Sequence, residues 1–370
     1  MKEWKEYKIG DVFAYLKSGK GIHANEISSK GEYPVFGGNG LRGYTTRNNF
    51  EGDCAIIGRQ GAFCGNVRYF KGKAYMTEHA IIAVANENNS TRFLAYLLGI
   101  MNLGRFSGQS AQPGLSVTEL AKQSITVPSL SVQKKIATIL SSLDDKIELN
   151  RRINGNLEQQ AQALFNHYFI ERPDLLGKYK IGNLTEIANY LNGLAMQKFR
   201  PQMKENGIPV LKIKELGQGY TDASSDICSE NIADEYKVHN GDVIFSWSGT
   251  LMVKIWCGGL CGLNQHLFKV SSEIYPKWFY YFWTKHHLNK FIRIAQDKAV
   301  TMGHIKRNDL EASEILIPQM DILAKLDAII SPLFSQIIEM KCENRNLAAI
   351  RDILLPQLMS GKLKINDLNR

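Results

Sequence analysis

The chain has 370 residues, 44% of them hydrophobic and 22% charged, with a formal net charge of +9. That length fits two or three domains, each able to bury its own core. There is no apolar run long enough for a membrane span and the first residues, MKEWKEYKIG, are polar, so neither a span nor a signal peptide is expected and the cytoplasm is the expected location. The six cysteines (54, 64, 228, 257, 261 and 342) form no CxxC pair, and Cys257, Cys261 and His266 are too few and wrongly spaced for zinc. Reduced thiols and no metal are expected. Residues 1–130 carry 15 basic and 10 acidic side chains, and 171–320 carry 18 and 16. A positive excess on these segments fits a polyanionic partner.

In chain order, YKIG (7–10) opens a β-rich segment with the runs YPVFGGNG (33–40), GDCAIIGRQGAFCGNVRYF (52–70) and AYMTEHAIIAV (74–84). An amphipathic stretch (92–104), a polar loop and an apolar segment ending in Pro128 follow. A helix is predicted from about Ser131 to Phe169, closed by Pro173. YKIG recurs at 179–182 and opens a second β-rich segment with IPVLKI (208–213), GDVIFSWSG (241–249), VKIWCGG (253–259) and QHLFKV (265–270). After an amphipathic stretch (276–296) and Pro318, a second helix is predicted from about Gln319 to Met359, with Gly361 as its C-cap. Pro332 lies inside it and predicts a kink or break.

The two helices share one pattern. Apolar residues step alternately by four and three, and the second copy lies 190 residues after the first without a slip, from Ile136 and Leu326 onward. This spacing places the seam of a coiled coil on one face. The seam holds Leu140, Leu143, Ile147, Asn154 and Leu157 in the first helix, and Ile330, Leu333, Ile337, Asn344 and Leu347 in the second. Asn154 and Asn344 occupy the same position, where a polar residue costs stability but fixes register and partner. The chain is therefore read as α+β with a pseudo-twofold internal repeat: a globular domain (1–130), a helical spacer (131–170), a second globular domain (171–318), and a distal helical spacer with the C-terminal tail (319–370).

Catalytic signatures are missing. Gly38–Gly43 matches GxGxxG, but YTTRNNF follows instead of the helix that a dinucleotide loop must open. There is no P-loop, GxSxG or methyltransferase tetrapeptide, and Pro173-Asp174 lacks the partners of a nuclease site. His79 and His266 read as packing or hydrogen-bonding residues rather than bases. What remains is two sets of loops rich in donors and planar groups. The first holds Asn39, Arg42, Tyr44, Arg59, Gln60, Gln109, Ser110 and Gln112; the second holds Lys212, Lys214, Trp247, Ser248, Thr250, Asn264, Gln265, Lys298, Thr301 and His304. Arginine reads guanine and glutamine or asparagine reads adenine in the major groove, while lysine holds phosphates. Ordinary solvated loops are the alternative for each residue singly, and recurrence in both halves favours the set.

The segments TVPSLSVQKKIATILSSLDDKIELNRRINGNLEQQAQALFNHYF (126–169) and IPQMDILAKLDAIISPLFSQIIEMKCENRNLAAIRDILLPQLMSGKL (317–363) resemble the conserved helical regions of type I restriction-modification specificity (S) subunits. Residues 33–70 resemble one class of their target recognition domains, and the order domain–helix–domain–helix matches over essentially the whole chain. Pro332, and Arg351 where the first helix has Ala161, depart from the pattern; Arg351 is a candidate contact to another subunit. The resemblance implies a subunit without catalysis, with two target recognition domains on two long antiparallel coiled-coil helices. Each domain would read one half of a split, asymmetric double-stranded DNA site. It also implies partners: two modification subunits that bind S-adenosylmethionine, and two restriction subunits that use ATP and Mg.

Two rival readings are a fused enzyme, against which the missing motifs argue, and a coiled-coil protein scaffold that binds no DNA. If the helices act as a ruler, inserting four residues near Arg151–Asn154, about 6 Å of helix, should lengthen the unread gap by about two base pairs at ~3.4 Å each. Methylated-motif mapping checks this, and an active complex with an unchanged gap would refute the ruler.

Overall fold

The computed structural model describes residues 4–108, 114–203, 205–297 and 304–365. The chain forms two compact units, one of residues 1–145 and 348–370 and the other of residues 146–347. The boundaries fall inside the two long helices, Leu130–Asn166 and Met320–Met359. Each globular segment therefore carries the helix ends packed against it.

The first unit is built on a six-stranded sheet in the order Phe13–Ser18, Ala80–Ala85, Phe50–Gly58, Val67–Met76, Tyr33–Gly37, Gly40–Thr45. Its pairings are antiparallel except between Tyr33–Gly37 and Val67–Met76. Side chains alternate across a strand, so Ala55 and Ile57 enter one core while Cys54 and Ile56 enter the other. Helix Thr91–Gly99 covers the first of these cores with Phe93, Leu94 and Leu98, and Ser90 caps it by accepting from Phe93 N at 3.4 Å. Ile136, Ala137 and Leu140 of the first long helix and Leu358 and Met359 of the second close the same core.

The second unit has two four-stranded sheets. One runs Asn189–Asn192, Leu267–Ser271, Val243–Ser246, Met252–Ile255; the other runs Ile227–Ser229, Gly207–Leu211, Cys261–Leu263, Lys237–Val238. Its main core is aromatic. Phe165, fully buried on the first long helix, lies 5.2 Å from Phe169, 5.3 Å from Phe282 and 5.1 Å edge-on from Trp283. A fully buried phenylalanine contributes roughly 1.5–3 kcal/mol, and several in one cluster hold helices Lys277–His286 and Leu130–Asn166 together.

The two YKIG strings do open the halves but differ in register. Lys5 pairs with Val127, and the equivalent Ile317 pairs with Lys180, so Tyr7 corresponds to Gly182 rather than to Tyr179. Sequence identity here misaligns the units by three residues.

Within each unit the helix segments run antiparallel. In the first, Arg351 Nη1 lies 2.9 Å from Asp144, which also accepts from Tyr96. The subunit contact expected of Arg351 is not what occupies its guanidinium, because Asp144 and Asp352 hold it within its own unit. In the second unit Lys341 pairs with Glu158 at 2.6 Å, and Asn150 donates to Glu343 at 2.6 Å and to Asn344 at 3.0 Å. Asn344 thus meets Asn150, one turn from Asn154, and the Oδ1 atoms of Asn150 and Asn154 are both buried without a partner. Leu140, Ile147, Leu157, Ile330 and Ile337 are buried on the seam, while Leu143, Leu333 and Leu347 are half-buried.

The break expected at Pro332 is absent, since the helix runs unbroken through it. Pro332 is exposed, while Leu326, Ile330, Phe334 and Ile337 on the other face are buried. Four buried apolar side chains outweigh the ~3 kcal/mol cost of an interior proline. All six cysteines are free, and burial pushes the thiols of Cys54, Cys257 and Cys261 up to about 12, which keeps them unreactive. Among the described residues no helix is long and apolar enough to cross a membrane, and no group of three His, Cys, Asp or Glu side chains could hold a metal ion.

Candidate nucleic-acid interface

Both units end a buried strand in a tight turn, and the two turns are held by the same backbone bonds. Arg59 N donates to His79 O at 3.0 Å, and Leu115 N donates to Arg59 O at 2.8 Å. In the second unit Trp247 N donates to His266 O at 3.4 Å, and Ile305 N donates to Trp247 O at 2.9 Å. Gln60 bridges Gly114 just as Ser248 bridges His304. Behind each turn a loop crosses the sheet end. Gly19 N donates to Ala80 O and Lys20 N to Met76 O, both at 3.0 Å; Gly193 N donates to Leu267 O and Leu194 N to Leu263 O, again both at 3.0 Å. A Cβ on Gly19 would lie 2.2 Å from Met76 O, and one on Gly193 would lie 2.2 Å from Asn264 O, so only glycine fits either crossing.

This correspondence sets Thr77, Glu78 and His79 against Asn264, Gln265 and His266. The sequence reading picked Asn264 and Gln265 but missed Thr77, Glu78 and His79, and it left both histidines out of the sites. The signal was available as TEHA against NQHL, 187 residues apart.

In the first unit the turn gathers four of the expected residues. Gln60 is exposed, with its Oε1 2.8 Å from His79 Nδ1. Arg59 Nη1 donates to Glu78 O at 3.3 Å. The Gly37–Gly40 turn packs against both, since a Cβ on Gly38 would lie 2.9 Å from His79 O and 3.5 Å from Arg59 N. It exposes Asn39, whose carbonyl accepts from Arg68 at 3.4 Å, and it lies under the Arg42 side chain, whose Cδ would be 2.8 Å from a Cβ on Gly37. Tyr44 is half-buried and its backbone is tied to Ser28. The GxGxxG string is thus a hairpin turn leading into strand Gly40–Thr45, with no helix behind it. Gln109, Ser110 and Gln112 lie outside the described residues.

Among the described residues the acids Glu51 and Glu78 do not form ion pairs with the two arginines. Glu51 instead pairs with Lys73 at 3.5 Å, and Glu78 Oε1 faces His79 Nε2 at 3.2 Å. Among the described residues neither Arg42 nor Arg59 has an ion pair.

In the second unit Trp247 replaces Arg59. Its indole N–H donates to Asn192 at 3.0 Å, and its ring lies 5.7 Å from Phe268 and 6.0 Å edge-on from His304. Ser248 is buried, with Oγ 3.0 Å from His266 Nδ1, and Gln265 Nε2 lies 3.3 Å from His266 Nε2. Asn264 is buried and accepts from His266 N at 3.3 Å, whereas Thr250 is exposed. Lys212 and Lys214 are not free cations as expected. Asp226 takes the Lys212 ammonium, and Lys214 donates to Ser224 at 2.6 Å and pairs with Asp222 at 3.5 Å. Lys212 shares a cavity of about 200 Å³ with Arg200, Asp226 and Asn264. Lys298 and Thr301 lie outside the described residues.

Each turn presents donors and acceptors, and the first adds the cations Arg42 and Arg59; the Ser248–His266 contact sets a hydroxyl against an imidazole, but Ser248 is buried. The arrangement is built to hold a polar surface. A family model described as the type I restriction modification DNA specificity domain matches residues 1–159 and again 177–350. A type I restriction enzyme specificity subunit, EcoprrI of Escherichia coli, is 39% identical over 146 residues, which are 38% of this chain and 36% of that one. The MjaIX specificity subunit of Methanocaldococcus jannaschii is 29% identical over 304 residues, 75% of this chain and 70% of its own length. The crystal structure of a type I restriction-modification S subunit from M. genitalium shares the fold, with a TM-score of 0.66 over 96% of both chains at 16% identity.

Proposed function

Because the chain belongs to the type I restriction modification DNA specificity family, with its domain matched twice, we propose that it is the non-catalytic subunit that reads a bipartite, asymmetric DNA site. The observation that carries this is the repeated turn. One backbone frame offers Arg59 and Gln60 in the first unit and Trp247 in the second. Equal frames with unequal side chains suit two half-sites of unequal sequence read by one chain. The long helices serve as the scaffold on which two modification and two restriction subunits assemble in the cytoplasm. S-adenosylmethionine, ATP and Mg belong to those partners, and this chain holds none of them.

The test is methylome sequencing of cells that express this chain with its modification subunit. A split adenine-methylated motif is expected, lost when this chain is deleted. A motif unaffected by the deletion would leave the protein-scaffold reading standing. The insertion near Arg151–Asn154 falls where Asn150 bonds Glu343 and Asn344, so a matched insertion in the second helix is needed to keep Glu158 opposite Lys341.

A further inference from the structure

The two equivalent histidines have different second partners. Both ring nitrogens of His79 face oxygen atoms, Gln60 Oε1 at 2.8 Å and Glu78 Oε1 at 3.2 Å. An oxygen acceptor on each side is satisfied only by a doubly protonated ring. The other self-consistent arrangement is a neutral ring. Nε2–H then donates to Glu78, and Nδ1 accepts from the Gln60 amide turned end for end. His266 needs no second proton, because the Gln265 amide donates to its Nε2 and its Nδ1–H donates to Ser248 Oγ. Glu78 in one unit stands where Gln265 stands in the other.

We propose that His79 is a positioning residue whose proton decides whether Gln60 offers a donor or an acceptor to a base edge. This rests on the DNA-reading role proposed above. With the ring doubly protonated, Gln60 Oε1 is held inward and its NH2 points out, suited to the acceptors of guanine or thymine. With the ring neutral, Oε1 points out, suited to the amino groups of cytosine or adenine. Gln60 is exposed and able to reach a ligand, whereas Ser248 is 5% exposed, so the second unit lacks the switch and serves as an internal control. The carboxylate that makes the difference has its other oxygen, Oε2, buried without a hydrogen-bond partner, and His79 is its ion-pair partner among the described residues, so a proton on that ring would offset its charge. Among the described residues the other charged side chains of the segments packed on this turn are Arg59, Arg42, Arg68 and Lys20, all cationic, so Glu78 is the acid that faces His79 there.

The experiment uses the full chain in complex with its modification subunit. Affinity is measured for the cognate duplex and for duplexes altered singly along both half-sites, at about pH 5.5 and about pH 8.5, which span the charge change of histidine. At one position of the first half-site, base preference is expected to change about fivefold to a hundredfold between the two pH values, the range of one good base contact. Glu78→Gln gives the first unit the pair already present in the second: the introduced amide donates to Nε2 and leaves Nδ1–H to hold Gln60 Oε1 inward, so the variant is expected to abolish that pH dependence and fix the acid preference. His79→Ala is expected to flatten preference at that position at both pH values. A wild-type preference that does not move with pH at any first-half position overturns the switch, as does an E78Q variant that keeps the wild-type pH response. In either case the sequence-specific binding itself stands. Absence of any preference for the cognate duplex would overturn the DNA-reading role along with it.

Discussion

Exchanging residues 1–130 for the corresponding segment of another specificity subunit is expected to replace one half of the methylated motif completely and leave the other half as it was. The expectation rests on the closed core of the first unit, in which strands of the six-stranded sheet, helix Thr91–Gly99 and Ile125 and Val127 of strand Ser124–Val127 share one apolar cluster. That cluster also includes Ile136, Ala137 and Leu140 and, from the far end of the chain, Leu358 and Met359. A donor segment must therefore dock on the helix ends of this chain. Poor complementarity at a few such positions costs about 1–3 kcal/mol, enough to lower yield without changing which bases are read. A second chimera carrying residues 131–145 and 348–365 of the donor as well separates the two effects. Methylome sequencing gives the result, and a motif changed in both halves, or in neither, would sink the assignment of one half-site to each unit.

The helices were the most legible part of the sequence. Their seam follows from strict four-three spacing, which no loop interrupts, so both copies keep the 190-residue offset. What periodicity cannot supply is the facing residue. Asn154 and Asn344 share a seam position, but antiparallel packing sets Asn344 opposite Asn150 instead. Pro332 misled because local propensity was weighed without the buried face that holds the helix together. The candidate site was half legible for a related reason. The offset between equivalent residues drifts along the chain: 174 at Gly19 and Gly193, 187 at the histidines, 188 at Arg59 and Trp247, and 190 again at Leu115 and Ile305. Loops of different length separate the elements, at small free-energy cost, so one fixed offset finds the helices and loses the turn. Lys212 and Lys214 were chosen for charge alone, and sequence distance hid the acids at 222 and 226 that neutralise them.

Alanine at Arg42 or Arg59 separates base reading from phosphate holding in the first unit. Both arginines stand beside the Gly37–Gly40 turn, and among the described residues neither is held by a carboxylate. Arg59 spends one N–H on the Glu78 carbonyl, which fixes the guanidinium in place and leaves its other donors available. Arg42 is exposed and makes no side-chain hydrogen bond among the described residues, so ordering it on a ligand costs conformational entropy that Arg59 has already lost on folding. Arg59 is therefore expected to make the base contact. R59A should weaken binding to the cognate duplex by about 1–3 kcal/mol, relax specificity at one base, and change little on a duplex already altered there. Arg42 is expected to hold a phosphate. R42A should weaken binding evenly across sequences and lower the slope of log affinity against log salt by about one. Titrations of both variants on cognate and singly altered duplexes at two salt concentrations distinguish these outcomes. If affinity, specificity and salt slope all stay at wild-type values in both variants, this turn does not face DNA, and the polar surface of the first unit must be assigned to a protein partner instead.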